Sequence, residues 1–212
     1  LLLEEPAAFI QDYVVQLKQD SLHTLAGWVQ LNGASDGEKV RIDIPELGFQ
    51  RELVTQQGRA SFEAEIVGLQ AWSPQSPKLY RVNLATRYQT LRDDIGFRTI
   101  STSGTNILLN GKPIFLRGIS LHEENAQRAA RAFGEADALV SLNWAKELGC
   151  NYVRLAHYPH NEAMLRLADK MGLMVWEEIP VYWTVDFSNP ATLASAQQQL
   201  SEAITRDRNR AA

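Results

Sequence analysis

The hydrophobic pattern changes character about halfway along the chain. Between residues 13 and 100 the apolar positions fall in short runs: YVVQL, LAGWVQL, KVRIDI, SFEAEIV and LYRVNLA. Polar, turn-forming clusters divide them, notably NGASDG (32–37) and WSPQSPK (72–78). Within residues 79–85, Tyr80, Val82 and Leu84 alternate with Arg81, Asn83 and Ala85, the period of a strand with one buried face. Several short strands at this spacing predict a β-sandwich of immunoglobulin-like size. A hairpin follows in ILLNGKPIFL, where Asn110 and Gly111 supply two turn positions that tolerate positive φ.

Beyond the hairpin, strand and helix patterns alternate. PIFLRGI (113–119) reads as a strand, and residues 137–148 as a helix with Leu139, Leu142, Ala145 and Leu148 on one face. The strand CNYVRLA (150–156) leads to a second helix whose face is Met164, Leu165, Ala168 and Met171, with Gly172 ending it. LMVWEE (173–178) is the next strand, with Trp176 read as core. A third helix opens with Asn189 as cap and Pro190 in the first turn. Its predicted buried stripe is Leu193, Ala196, Leu200, Ala203 and Ile204. Strands separated by helices of this length form βαβ units, with parallel strands, right-handed crossovers and both sheet faces covered.

Composition narrows the function classes. The chain has 212 residues, 45% hydrophobic and 22% charged, enough apolar material for a sizeable core in one large or two smaller domains. Net charge is −4 without a long basic block, so a nucleic-acid surface is not indicated. No stretch reaches the length of a membrane span. Cys150 is the single cysteine, which excludes an internal disulfide and a multi-cysteine metal site; at the start of an apolar strand it reads as a buried thiol. No zinc-spaced ligand set, Ser-His-Asp order or phosphate-cradling glycine loop is found, so neither a metal nor a cofactor is expected. The start, LLLEEPAAF, lacks the basic flank and cleavage site of a signal peptide, and its lack of Met suggests a segment of something longer. Nothing here assigns a compartment.

Ligands of parallel sheets collect at the carboxyl ends of the strands, and there this sequence places its unusual residues. RGISLHEEN, RLAHYPH and WEEIPVYW bring His122, Glu123, Glu124, Arg154, His157, Tyr158, Glu177, Glu178, Tyr182 and Trp183 toward one rim. Arg and His donate to hydroxyls or carboxylates, Glu accepts from hydroxyls, and Tyr or Trp stacks on an apolar sugar face. The mix suits a polyhydroxylated ligand. Arg154 could instead only pair with Glu178, while His122, Tyr182 and Trp183 could equally be structural. Arg206, Arg208 and Arg210, at the end of the third helix, are accounted for by the helix dipole and solvent.

The run NYVRLAHYP, continued through MLRLADKMGLMVWEE, resembles the signature of family 2 glycoside hydrolases, the β-galactosidase and β-glucuronidase group. WSPQSPKLY and IGFRTI resemble that family's sandwich end and linker, and LLNGKPIFLRGISLHEEN its hairpin and first barrel strand. The resemblance implies an immunoglobulin-like sandwich over residues 1–102 and, over 103–212, the first three βα units of an incomplete (β/α)8 TIM barrel. It implies that Arg154, His157, His122 and Glu178 line a sugar subsite, with Tyr158 and Trp183 beside them. Ala156 stands where many members carry Ser, and residues 121–125 lack the further histidines of some β-galactosidases, so no matching magnesium site follows.

Family members are retaining glycosidases, a mechanism needing two carboxyl groups about 5–5.5 Å apart. In the family these close the fourth and seventh barrel strands, so both are expected beyond residue 212. Glu177 and Glu178 cannot substitute, because neighbours on a strand point to opposite faces. Glu123 or Glu124 acting with Glu178 has no evident helper. The expectation is a piece of a β-glycosidase acting on a terminal β-linked sugar, inactive by itself and self-associating through its open barrel edge. The alternative is a non-catalytic carbohydrate-binding or interaction module with a remnant barrel.

Overall fold

The computed structural model describes residues 6, 8–19, 21–33 and 36–212. Most of the N-terminal LLLEEPA stretch, and Ala34 and Ser35 of the 32–37 turn, lie outside them. The chain divides into two compact units: residues 1–72 with 78–113, and residues 73–77 with 114–212.

The first unit holds β1 (Phe9–Leu17), β2 (Thr24–Asn32), β3 (Lys39–Ile44), β4 (Phe49–Val54), β5 (Arg59–Glu65), β6 (Tyr80–Ala85) and β7 (Thr90–Ile95). They pair antiparallel in two sheets, β1-β2-β5 and β4-β3-β6-β7. Alternation decides which side chains turn inward. Val40, Ile42 and Ile44 of β3, Ala60, Phe62 and Ala64 of β5, and Tyr80, Val82 and Leu84 of β6 meet in one apolar core. β4 and β7 were not legible as strands, because each is an edge. Only Phe49 of β4 is buried, and β7 carries the buried Asp93, which accepts from the Tyr13 hydroxyl at 2.6 Å. Charged edges of this kind discourage pairing with another chain.

β8 (Ile100–Ser103), β9 (Asn106–Leu109) and β10 (Lys112–Pro113) form a small antiparallel sheet. The predicted turn is present, with Asn110 at φ 52° and Gly111 at φ 74°. Asn110 fastens it: its side chain accepts from Thr99 N at 3.0 Å and donates to the Trp72 carbonyl at 2.9 Å.

The second unit contains β11 (Gly118–Leu121), a two-stranded ribbon of β12 (Glu124–Asn125) and β13 (Ala130–Arg131), α1 (Glu135–Glu147), β14 (Tyr152–Leu155), α2 (Glu162–Met171), β15 (Met174–Glu177) and α3 (Pro190–Asp207). β11, β14 and β15 make a parallel sheet in that order. Val153 and Leu155 on one face pack with Leu142 and Ala145 of α1 and Met164, Leu165 and Ala168 of α2. Asn161 caps α2 by accepting from Ala163 N, and Gly172 at φ 71° ends it as predicted. Asn189 and Pro190 open α3 as predicted.

Five expectations need correction. The strand read over 113–119 starts only at Gly118, because the segment before it bonds to a side chain instead of a neighbouring strand. Asn151 accepts from Arg117 N at 2.7 Å and donates to the Phe115 carbonyl at 2.9 Å. Leu139 on α1 and Leu148 just past its end are exposed, while Ala138, Ser141, Leu142 and Ala145 are buried. Nine residues turn a helix by about two and a half revolutions, so Leu139 and Leu148 lie on opposite sides. Trp176 is 60% exposed rather than core. Its register partner is Arg154, and both project from the sheet face that the helices leave open. The stripe on α3 is likewise uncovered among the described residues, with Leu193, Leu200 and Ile204 all exposed. Finally, Arg210 is not solvated: it faces the fully buried Asp169 at 3.5 Å, and Ala212 N donates to the same carboxylate at 2.6 Å.

Candidate active site

The open face and the carboxyl ends of β11, β14 and β15 gather most of the singled-out residues. Arg154 is the third residue of β14, and Glu178 follows directly after β15. Because Arg154 is level with Trp176, alternation brings Glu178, two positions on, to the same side. Arg154 Nε donates to Glu178 Oε1 at 2.5 Å, and His157 Nδ1 lies 3.1 Å from Oε2. The Arg154 guanidinium, and then His157, hold the Glu178 carboxyl below its usual range; Glu178 in turn raises Arg154. Glu178 is therefore an ionised acceptor with both oxygens engaged, not a proton donor.

This fixes the imidazole. An ionised carboxylate only accepts, so His157 must carry its proton on Nδ1. Arg154 Nη2, 3.5 Å from that nitrogen, is then a neighbouring charge and not a hydrogen-bond donor to it. In the neutral ring the Nε2 lone pair is left for a ligand hydroxyl. The Ala156–His157 peptide preceding the ring is cis.

Aromatic rings surround His157. Tyr182 stacks on it at 4.7 Å, and the exposed His122 meets it edge-on at 5.4 Å. Tyr158 lies 6.1 Å from His122. Its hydroxyl accepts from Glu123 N at 3.4 Å. Six of the singled-out residues thus come together: Arg154, His157, Glu178, His122, Tyr158 and Tyr182. Trp183 is on the same loop as Tyr182 but is 90% exposed, with φ 60° and no ring partner among the described residues.

The remaining carboxylates face elsewhere. Glu123 is 3% exposed, pairs with Arg131 and accepts from Asn161 N. Glu177 turns toward α3, where Arg206 bridges it at 2.7 Å and Asp207 at 2.6 Å. Burial, with the Asp207 charge second and Arg206 opposing, pushes Glu177 up to about 7. Beside the cluster, a cavity of about 750 Å³ is lined by Glu123, Glu124, Ala129, Arg131, Tyr158 and Pro159. Among the described residues no three His, Cys, Asp or Glu side chains could hold a metal ion, and no helix is long and apolar enough to cross a membrane. Two residues near the cluster carried no legible signal. Arg131 is placed only by the β12–β13 ribbon, and His160 follows a proline with no apolar periodicity to mark it as buried.

Residues 100–212 match the family model described as glycosyl hydrolases family 2, TIM barrel domain. The chain belongs to glycosyl hydrolase family 2. Its relatives include a β-glucuronidase of Paenibacillus borealis, 30% identical over 95% of this chain, and a β-galactosidase of Arthrobacter sp. (strain B7), 29% identical over 81%. The chain spans 36% and 18% of those proteins respectively. Among solved structures, a GH2 β-galacturonidase from Eisenbergiella tayi bound to galacturonate aligns with a TM-score of 0.82 at 28% identity. That alignment covers 98% of this chain and 39% of the other. The family read from NYVRLAHYP in the sequence is therefore the right one, and it is a family of β-galactosidases and β-glucuronidases.

Proposed function

We propose that the chain is part of a retaining β-glycosidase that removes a terminal β-linked sugar. In this reading an immunoglobulin-like sandwich (1–102) precedes the first three βα units of a (β/α)8 barrel (103–212). Two observations support the sandwich: its strands are distributed as β1-β2-β5 against β4-β3-β6-β7, and the hydroxyl of Tyr80, at the start of β6, accepts from Gln70 N at 2.8 Å. A tyrosine tied back to upstream backbone at this corner recurs in immunoglobulin-like domains.

The reading rests on one observation above the others: Arg154, His157 and Glu178 are interlocked at the carboxyl ends of consecutive parallel strands. Binding-site residues of βα barrels occupy that face. There the His157 Nε2 lone pair accepts from a sugar hydroxyl, Arg154 and Glu178 hold the imidazole in place, and His122, Tyr158 and Tyr182 form the surrounding wall, with the exposed Trp183 next to Tyr182 free to reach a bound sugar. Retention requires a proton donor and a nucleophile. Glu178 is held ionised by hydrogen bonds from Arg154 and His157, Glu123 is buried against Arg131, and Glu177 faces α3. The chain by itself therefore binds sugar without hydrolysing it. A second copy covers the exposed edge of β15 and the apolar side of α3.

The test is hydrolysis of a panel of chromogenic β-glycosides by the chain as it stands. The reading predicts release at the uncatalysed rate. Turnover that Glu178→Gln abolishes would overturn the claim that the catalytic pair is absent.

A further inference from the structure

We propose that His160 is the positioning residue of this site: a buried, neutral imidazole that fixes the loop carrying His157 and Tyr158. The proposal rests on the sugar-binding reading above and assigns a role within it.

The geometry determines the ring's state. His160 is 1% exposed, and its Nε2 lies 2.9 Å from the Ala156 carbonyl oxygen. A carbonyl only accepts, so Nε2 carries the proton. Nδ1 is buried with no hydrogen-bond partner. A neutral ring leaves only a lone pair there, whereas a protonated ring would bury a second N–H without an acceptor. Burial also lowers the pKa of His160 from its ordinary value, outweighing the hydrogen bond to Ala156 and the Glu123 charge, which act in the other direction. His160 is thus a fixed donor, not a titrating acid or base.

Its contacts reach both site residues of this loop, His157 through the backbone and Tyr158 through its ring. Its hydrogen bond ends on the carbonyl of Ala156, the residue directly before His157. Its ring stacks on Tyr158 at 5.2 Å with planes 27° apart. The loop's ends are tied to the segment bearing His122: Ala156 N donates to the Leu121 carbonyl at 2.9 Å, and Asn161 N donates to Glu123. His160 fills the middle of that staple. Without it, Tyr158 loses its backing and the Ala156 carbonyl its donor. Among the described residues no hydrogen bond, ion pair or ring contact joins His160 to the Arg154–Glu178 pair, on β14 and just beyond β15.

The test uses the full chain and three variants, His160→Ala, His160→Phe (ring kept, donor lost) and His160→Gln (donor kept, ring lost). Side-chain NMR would follow the C2–H signals of His122 and His157 and the ring signals of Tyr158. Saturation transfer to methyl β-D-galactopyranoside and the thermal midpoint would be measured alongside. The wild type should show the Nε2–H tautomer of His160. His160→Ala should displace the His157 and Tyr158 signals and weaken saturation transfer severalfold. His160→Phe should spare Tyr158 and move His157; His160→Gln should do the reverse. If His160→Ala fails to fold, the Phe and Gln pair decides. A lower midpoint with all His157 and Tyr158 signals in place would overturn the proposal, as would an Nδ1–H tautomer. Failure of the wild type to bind sugar would refute the sugar reading, while the signal displacements would still decide the role of His160.

Discussion

Glu177 and Glu178 are adjacent in sequence and opposite in chemistry. Strand alternation sends Glu178 to Arg154 and His157, which keep it ionised, and Glu177 to a buried setting beside Asp207. That divergence was legible from the pleat alone; the partners on α3 were not, because nothing in a sequence aligns residue 177 with residues 206 and 207. The raised value of Glu177 has a consequence for stability. The folded chain binds this proton more tightly than the unfolded chain, so stability falls as pH rises from about 4.5 toward about 7. Glu177→Gln removes that dependence. Urea unfolding should find the variant more stable than wild type above pH 7, by roughly 1–3 kcal/mol once solvent screening of this incompletely buried carboxyl is counted, with the difference shrinking toward pH 5. An unchanged difference at both pH values would mean that Glu177 is ionised throughout.

At the level of elements, sequence reading succeeded where one face alone determines the pattern. β3, β5 and β6 alternate because their inner residues share a core, and α2 keeps its stripe because it packs against α1 and β15. It failed at edges and at uncovered surfaces. β4 and β7 are polar because they are edge strands, and the apolar stripe of α3 has nothing packed over it among the described residues. Gly118 was quoted in the sequence without a reason for being glycine. The structure supplies one, since a Cβ there would overlap the ring and carbonyl of Tyr152, its register partner on β14. Gly118→Ala should therefore destabilise the second unit by about 1–3 kcal/mol, the usual range for overpacking. Equal urea midpoints for the two proteins would show that β11 can move away at no cost.

For the whole molecule, the main departure from expectation is a parallel sheet covered on one face. Trp176 at 60% and Ile204 at 56% exposure leave apolar area of the kind that promotes association. Sedimentation velocity should find wild-type chains associating as concentration rises and Trp176→Lys shifted toward monomer; a monomeric wild type across the range would refute pairing through this edge. Beneath all of this stands one narrower proposal, that the Arg154–His157–Glu178 cluster binds sugar. Saturation-transfer NMR with β-D-glucuronate and methyl β-D-galactopyranoside tests it most directly, comparing wild type with Arg154→Ala after circular dichroism has established that both are folded. Transfer to the pyranose protons of at least one sugar is expected in the wild type, and its loss in Arg154→Ala. Equal transfer in the two proteins, or none in the wild type, would contradict it.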